Sequence, residues 1–236
     1  MRIRIDNAGQ IGIVEDIPGY ELPPNAWTAG QNVRMQDGSV RKAYGYEDSW
    51  TTPQVAPYFV MPVLATPAYY WLYAGLSKIY AVQSLYHFDI TRASGDYNSN
   101  TRIRWNGCNL GGVIVLNNRS DIPQYWSFPS NHTNQLQDLP AWPATDRART
   151  IAAYKNFLVV GNVTRSGTQY PTMVKWSHGA DIGAVPSSWA IDDPTLDGGE
   201  TLLPQAGGNI QQIAALRDVS IIYRTESTWA MQFIGY

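Results

Sequence analysis

Ser177, His178 and Asp181 fall within five residues of one another and are the residue types of acyl-transfer catalysis. Their spacing argues against it. Adjacent side chains in a strand point to opposite faces, and a working triad is assembled from distant segments. No Gly-x-Ser-x-Gly elbow occurs in the chain. The three histidines, His87, His132 and His178, show no His-x-x-x-His spacing, and the single Cys108 excludes a Cys-x-x-Cys site or an internal disulfide framework. A second candidate is the acidic run Asp192, Asp193, Asp197 and Glu200. Paired carboxylates ligate calcium or serve as acid and base in glycoside hydrolysis. EF-hand spacing is absent, and a solvated acidic loop is the expectation. The glycine pairs at 111–112, 198–199 and 207–208 never precede a helix carrying Lys-Ser/Thr, so no phosphate-cradling loop is expected. The sequence therefore predicts no catalytic residues, no metal and no cofactor.

What must position these residues follows from the rest of the chain. At 236 residues it is long enough for a substantial core without staples. A net charge of −2 argues against a protein built to neutralise phosphates over a broad face. The N-terminus lacks an apolar core segment, so no signal peptide is expected, and the Asn118, Asn131 and Asn162 glycosylation tripeptides read as coincidental. Residues 51–77 carry no charge, but Pro57, Pro62 and Pro67 would each break a spanning helix. A buried extended segment leading into a strand is predicted there, and no stable membrane insertion.

Aromatics reach 12% and charged residues only 15%, and short alternating runs are bounded by Gly, Pro, Asn and Asp. This predicts an all-β fold. Asp37-Gly38 predicts a two-residue hairpin that pairs Gln36 with Ser39, Met35 with Val40 and Arg34 with Arg41. Met35 and Val40 would face a core. The like-charged Arg34 and Arg41 would reach water, Glu47 or Asp48, or a carboxylate-rich partner.

Residues 151–160 align without gaps on 213–222, each reading as strand, polar turn and strand. Weaker copies precede them. Their apolar runs begin at Tyr70, Val113, Phe157 and Val219, in steps of 43, 44 and 62 residues. A further strand follows in each unit, and Trp126-Ser127 and Trp176-Ser177 occupy matching places. This period with several strands per unit predicts β-propeller-like blades, incomplete in this chain. The long third step predicts an inserted surface loop at 179–209. The domain reading is an N-terminal extended and hairpin segment over 1–66 and blades over 67–236. Four units and an aromatic end at Tyr236 predict that the polypeptide continues or that other elements complete the ring.

Two segments carry a family resemblance. Asn25, Ala26, Trp27, Gly30, Asn32, Val33 and Arg34 lead into Asp37-Gly38 and end on Gly45-Tyr46, and Tyr170, Pro171, Trp176, Ser177, Val185, Pro186 and Trp189 form a later block. Together they resemble the tail nozzle proteins of short-tailed bacteriophages, also called packaged-DNA stabilisation or tubular protein B proteins. The resemblance implies a structural virion subunit in a six-fold ring that docks on the head-to-tail adaptor. It also implies contacts with tail fibre or spike proteins, and a lumen that retains double-stranded DNA and passes it without sequence readout. It brings no catalytic residues. The competing expectation is a carbohydrate-binding or carbohydrate-cleaving propeller using the tryptophans and the acidic run. A propeller scaffold for cellular complexes is a third, because propellers host many functions.

Overall fold

The computed structural model describes residues 4–45, 47–65, 68–102, 104–127 and 132–234. It divides into two compact units, Met1–Ser49 and Trp50–Tyr236. Among the described residues the regular structure is all strand, so the chain is all-β, and no helix is long and apolar enough to cross a membrane.

In the first unit, β1 (Gly12–Ile13) pairs in parallel with β2 (Ala26–Trp27), and β3 (Val33–Gln36) pairs with β4 (Ser39–Lys42) as a hairpin. The hairpin register is the predicted one, with Gln36 opposite Ser39 and Arg34 opposite Arg41. Asp37 and Gly38 both take positive φ, 52° and 70°, as a type I′ turn requires. Met35 and Val40 are half-buried rather than core residues, because this two-stranded sheet has too little surface to bury them further.

Among the described residues the second unit forms four antiparallel meander sheets in chain order. The first contains β5 (Phe59–Ala65), β6 (Ala68–Ala74), β7 (Ile79–Gln83) and β8 (Tyr86–Asp89). The second contains β9 (Asn106–Leu110), β10 (Val113–Asn117), β11 (Gln124–Trp126) and β12 (Gln137–Asp138). The third contains β13 (Asp146–Tyr154), β14 (Phe157–Arg165), β15 (Thr168–Trp176) and β16 (Gly199–Leu202). The last contains β17 (Ile210–Leu216), β18 (Val219–Arg224) and β19 (Thr228–Met231). The runs that revealed the repeat are the second strands: β10, β14 and β18 begin at the expected residues, and Tyr70 lies inside β6. The polar pairs between them are the hairpin turns, where Gly111, Gly112, Lys155 and Arg217 take positive φ.

The sheets stack face to face, with one core in each gap. Leu72, Ile79, Ile114 and Trp126 fill the first. Val115, Ile151, Leu158 and Val160 fill the second, and Tyr154, Val159, Ile213 and Ile222 the third. The alternation of a strand sends Ile151 back to the preceding sheet and Ala152 forward to the next.

Three expectations change. The boundary at 66 falls between β5 and β6, which are hairpin partners, and the compact units separate at Ser49. The proline-rich stretch is not a buried lead-in. It forms β5, an edge strand with Val63 in the core and Val60 and Leu64 exposed, and Pro62 is tolerated because an edge strand leaves one side of its backbone unpaired. Pro67 lies outside the described residues. Finally, the loop expected over 179–209 contains β16, which pairs with β15 as the fourth strand of its sheet. The four-residue β16 has too little alternation to stand out between turn residues.

The segment between β8 and β9 is tied to the loop between β10 and β11 by a buried carboxylate. Asp121 accepts from Asn118 Nδ2 at 2.8 Å, the Asn98 amide at 2.9 Å and Arg92 Nη2 at 2.9 Å. Burial pushes this carboxyl up, but those donors outweigh it and hold it below the usual carboxylate range. The folded group thus binds its proton later, on acidification, than the unfolded one. Its stabilisation is complete above the unfolded pKa of about 3.9 and lost as pH falls through the folded value. Urea titrations should show wild-type stability dropping below about pH 4. Asp121→Asn should be less stable at neutral pH and show a shallower acid slope.

Candidate functional site

The residues that raised the possibility of catalysis are held in structural roles. Ser177 Oγ accepts from the Leu158 amide at 3.0 Å and donates to the His178 carbonyl at 2.8 Å, fully buried. His178 Nδ1 lies 3.0 Å from Asp197 Oδ2 and 3.1 Å from the Asp197 amide. Asp181 is exposed in the following turn. The three residues form no relay, since the hydroxyl turns to backbone and the imidazole to a different carboxylate.

The other two histidines are also engaged locally. His87 is bridged by Tyr73 Oη at Nδ1 and Thr51 Oγ1 at Nε2, each at 2.9 Å, while His132 stacks on Phe88. They do not converge with His178, and no cluster of three or more metal-ligating side chains occurs among the described residues. The acidic run does not form one site either. Asp192 and Asp193 are exposed, Asp193 accepts from Thr195, Asp197 meets His178, and Glu200 belongs to β16. Asn118 and Asn162 are buried and hydrogen-bonded, so neither presents a glycan acceptor, and Asn131 lies outside the described residues.

Glu200 belongs to a charge network that the sequence did not reveal. One residue comes from each strand of the third sheet: Asp146, Arg165, Lys175 and Glu200. Arg165 grips Glu200 through two bonds of 2.6 and 3.1 Å, and its Nε lies 3.4 Å from Asp146. Lys175 Nζ lies 3.5 Å from Asp146 and 4.0 Å from Glu200. The Arg165 guanidinium holds the Glu200 carboxyl below its usual range. Sequence spacing hides this network because its members lie up to 54 residues apart and meet only through the sheet register.

The motif residues serve the fold. In the first unit the Trp27 indole donates to the Ala8 carbonyl, and Asn32 takes φ 54° with its carbonyl accepting from Ala43 to close the hairpin. Asn25 sits in the turn before β2. Gly30 is required by crowding: a Cβ there would lie 2.7 Å from Ile13 Cδ1. Tyr46 lies outside the described residues. Arg34 and Arg41 are exposed, and neither forms an ion pair with Glu47 or Asp48. In the later block, Tyr170 packs on the second core, Pro171 is half-buried on β15, and Trp189 meets Trp142 edge-on at 4.7 Å. Trp126 and Trp176 play matching parts, each donating its indole N–H to a carbonyl just before the fourth strand, Asn134 and Asp197. Gly199 must lack a side chain because a Cβ would lie 2.4 Å from the Trp176 ring.

A set of side chains between sheets also escaped sequence reading. Asn106 on β9 donates to the Arg149 carbonyl at 3.0 Å and accepts from the Ile151 amide at 2.9 Å. One repeat later, Thr150 accepts from the Ile213 amide at 3.3 Å. Asn117 and Asn162 likewise donate to Ala148 and Ile210 on the following sheet, and Asn162 sits in a β-bulge with φ 56°. These ties satisfy edge backbone groups that would otherwise be buried unpaired. The signal was present as a polar residue at the same repeat position.

Beside these ties lies a cleft of about 420 Å³ whose lining includes Arg102, Arg104, Arg119 and Arg149 and no carboxylate. None of the four forms an ion pair among the described residues. Cys108, close by on β9, is unreactive in character. Burial pushes its thiol up to about 12, with the Ala153 amide opposing only in part. Native protein at pH 8 should therefore react with iodoacetamide far more slowly than the urea-unfolded chain, as mass spectrometry would show.

No family model matches the sequence, and no curated protein matches it. Among solved structures, the crystal structure of the computationally designed Ika4 protein aligns with a TM-score of 0.46 and 11% identity, over 80% of this chain and 99% of that one.

Proposed function

We propose that this chain is a structural subunit of a short-tailed phage tail nozzle, whose meander sheets are blades of a β-propeller completed by further sheets in the assembly. The observation that carries the reading is the forward face of the last sheet. In the second sheet that face holds Asn106, Cys108, Leu110 and Val115, and the third sheet packs on it. In the third sheet it holds Thr150, Ala152, Tyr154 and Val159, and the last sheet packs on it. The equivalent residues of the last sheet are Gln212, Ala214, Leu216 and Ile221. Gln212 occupies the position of the inter-sheet tie without a partner among the described residues, and Leu216 is 58% exposed. The backward face of the first sheet is also apolar and partly exposed at Val60, Leu64, Tyr69 and Trp71, while Trp50 meets Trp71 edge-on at 5.7 Å and covers part of it.

Two such faces fit one another as successive sheets do, so association runs head to tail and can close into a ring. Exposed apolar area of this kind marks an interaction surface. The nozzle assignment adds the resemblance at Asn25–Gly38 and Tyr170–Trp189, and the engagement of Ser177, His178 and Glu200 in scaffold bonds favours it over the glycan-cleaving alternative. Within it, the ring is six-fold, the adaptor and fibre proteins are neighbours, and the exposed Arg34 and Arg41 are contacts for an acidic partner. Light scattering after size exclusion tests the association. Wild type should exceed the 26.3 kDa monomer and Leu216→Asp/Ile221→Asp should run as the monomer. A monomeric wild type at high concentration would remove the forward face as an assembly surface.

A further inference from the structure

The cleft at the edges of β9 and β13 is lined by four arginines, Arg102, Arg104, Arg119 and Arg149. The chain has 17 basic residues against 19 acidic ones, yet no acid lines this cleft. Four like charges around one concavity repel each other, and among the described residues no carboxylate lines it or forms an ion pair with them.

The backbone at three of the four is tied locally. Arg149 lies on β13, where its own carbonyl is fixed by Asn106 at 3.0 Å. Arg119 takes a left-handed backbone with φ 65°, a conformation costing about 1–2 kcal/mol outside glycine. It is held there by the buried Asn117 and Asn118: Asn118 Oδ1 caps the Ser120 and Asp121 amides at 3.1 and 2.9 Å. Arg102 donates its amide to Asn100 Oδ1 at 2.9 Å, and Trp105 anchors the same segment through its indole bond to the Gly75 carbonyl. Arg119 and Arg149 are half-buried, which weakens solvent screening of their charge.

We propose that this cleft binds a compact, multiply charged phosphate anion of the polyphosphate or phosphate-ester class. The guanidinium fork matches phosphate oxygens bidentately, and the volume lies within the range of small-molecule sites. A singly charged carboxylate would leave most of the four charges uncompensated. The site stands on its own geometry and does not depend on the assembly reading.

Calorimetric titration with inorganic tripolyphosphate at low salt tests it. Wild type should bind with an affinity that falls as salt rises. Arg104→Ala/Arg149→Ala should weaken binding by at least about tenfold, while Arg217→Ala, outside the cleft, leaves it unchanged. Unaltered far-ultraviolet circular dichroism would confirm that the double variant folds, and single Arg→Gln variants give a second route if it does not. No binding by wild type, or equal loss in Arg217→Ala, overturns the proposal. A short DNA duplex that binds through these arginines without competition from tripolyphosphate overturns it as well, and assigns the cleft to a nucleic-acid backbone instead.

Discussion

Replacing Asp146 by Ala should destabilise the protein by about 3–5 kcal/mol, measured by urea unfolding at neutral pH. The residue is 1% exposed, and its carboxylate is shared by Arg165 and Lys175. Removing it leaves the Lys175 ammonium, itself 3% exposed, with only Glu200 at 4.0 Å. The cost is that of a desolvated charge without adequate compensation, not the net worth of the pair. The distinguishing experiment is the double variant Asp146→Leu/Lys175→Met. Arg165 and Glu200 remain a bidentate pair in it, and no buried charge is left alone. It should recover most of the loss. A double variant as unstable as the sum of the two single ones would mean that Asp146 and Lys175 are not coupled, and that a stranded buried charge is not the cause of the loss.

Trp126→Ala should cost about as much, 3–5 kcal/mol, through a different cause. Trp126 is fully buried between the first and second sheets, edge-on to Tyr70 at 5.7 Å, and its indole N–H donates to Asn134. Truncation empties the largest fully buried volume in the described fold and orphans a carbonyl. Trp126→Phe separates the two effects. It keeps most of the packing and should cost only about 1–3 kcal/mol for the lost hydrogen bond and the smaller ring. Tyr69→Ala, at a side chain 66% exposed on the first sheet, should stay within about 0.5 kcal/mol.

The parts of the fold legible in the sequence were those set by local rules. Asp37-Gly38 fixed its hairpin register because only a I′ turn joins strands across two such residues. The apolar runs at Val113 and Phe157 marked second strands because a strand buried on both faces shows no alternation, only a continuous run between turn residues, whereas the run at Val219 was found by its alignment on the preceding repeat and alternates in burial. What could not be read depends on register between distant segments. β16 is short and its burial comes from Trp176 and Arg165, neither adjacent in sequence. The charge network needs the pairing of four strands before its members meet. The arginine cleft gathers residues from 102 to 149 that are unremarkable singly. The polar ties could have been found by asking what occupies one position in every repeat, since Asn106, Thr150 and Gln212 align on the same spacing as the apolar runs.

The local stretch Ser177–Asp181 misleads in the opposite way. Its residue types suggest chemistry, but its position follows β15, where the chain must turn towards β16. Ser177 there caps the Leu158 amide, and His178 orders the turn through Asp197. Reactive types at such a place are explained by backbone satisfaction.

Electron microscopy of the assembly containing this chain, viewed end-on and classified without imposed symmetry, tests the central claim most directly. The nozzle account predicts six copies around a central channel. Isolated particles of one subunit, with no ring in purified protein or on virion tails viewed along their axis, would contradict it.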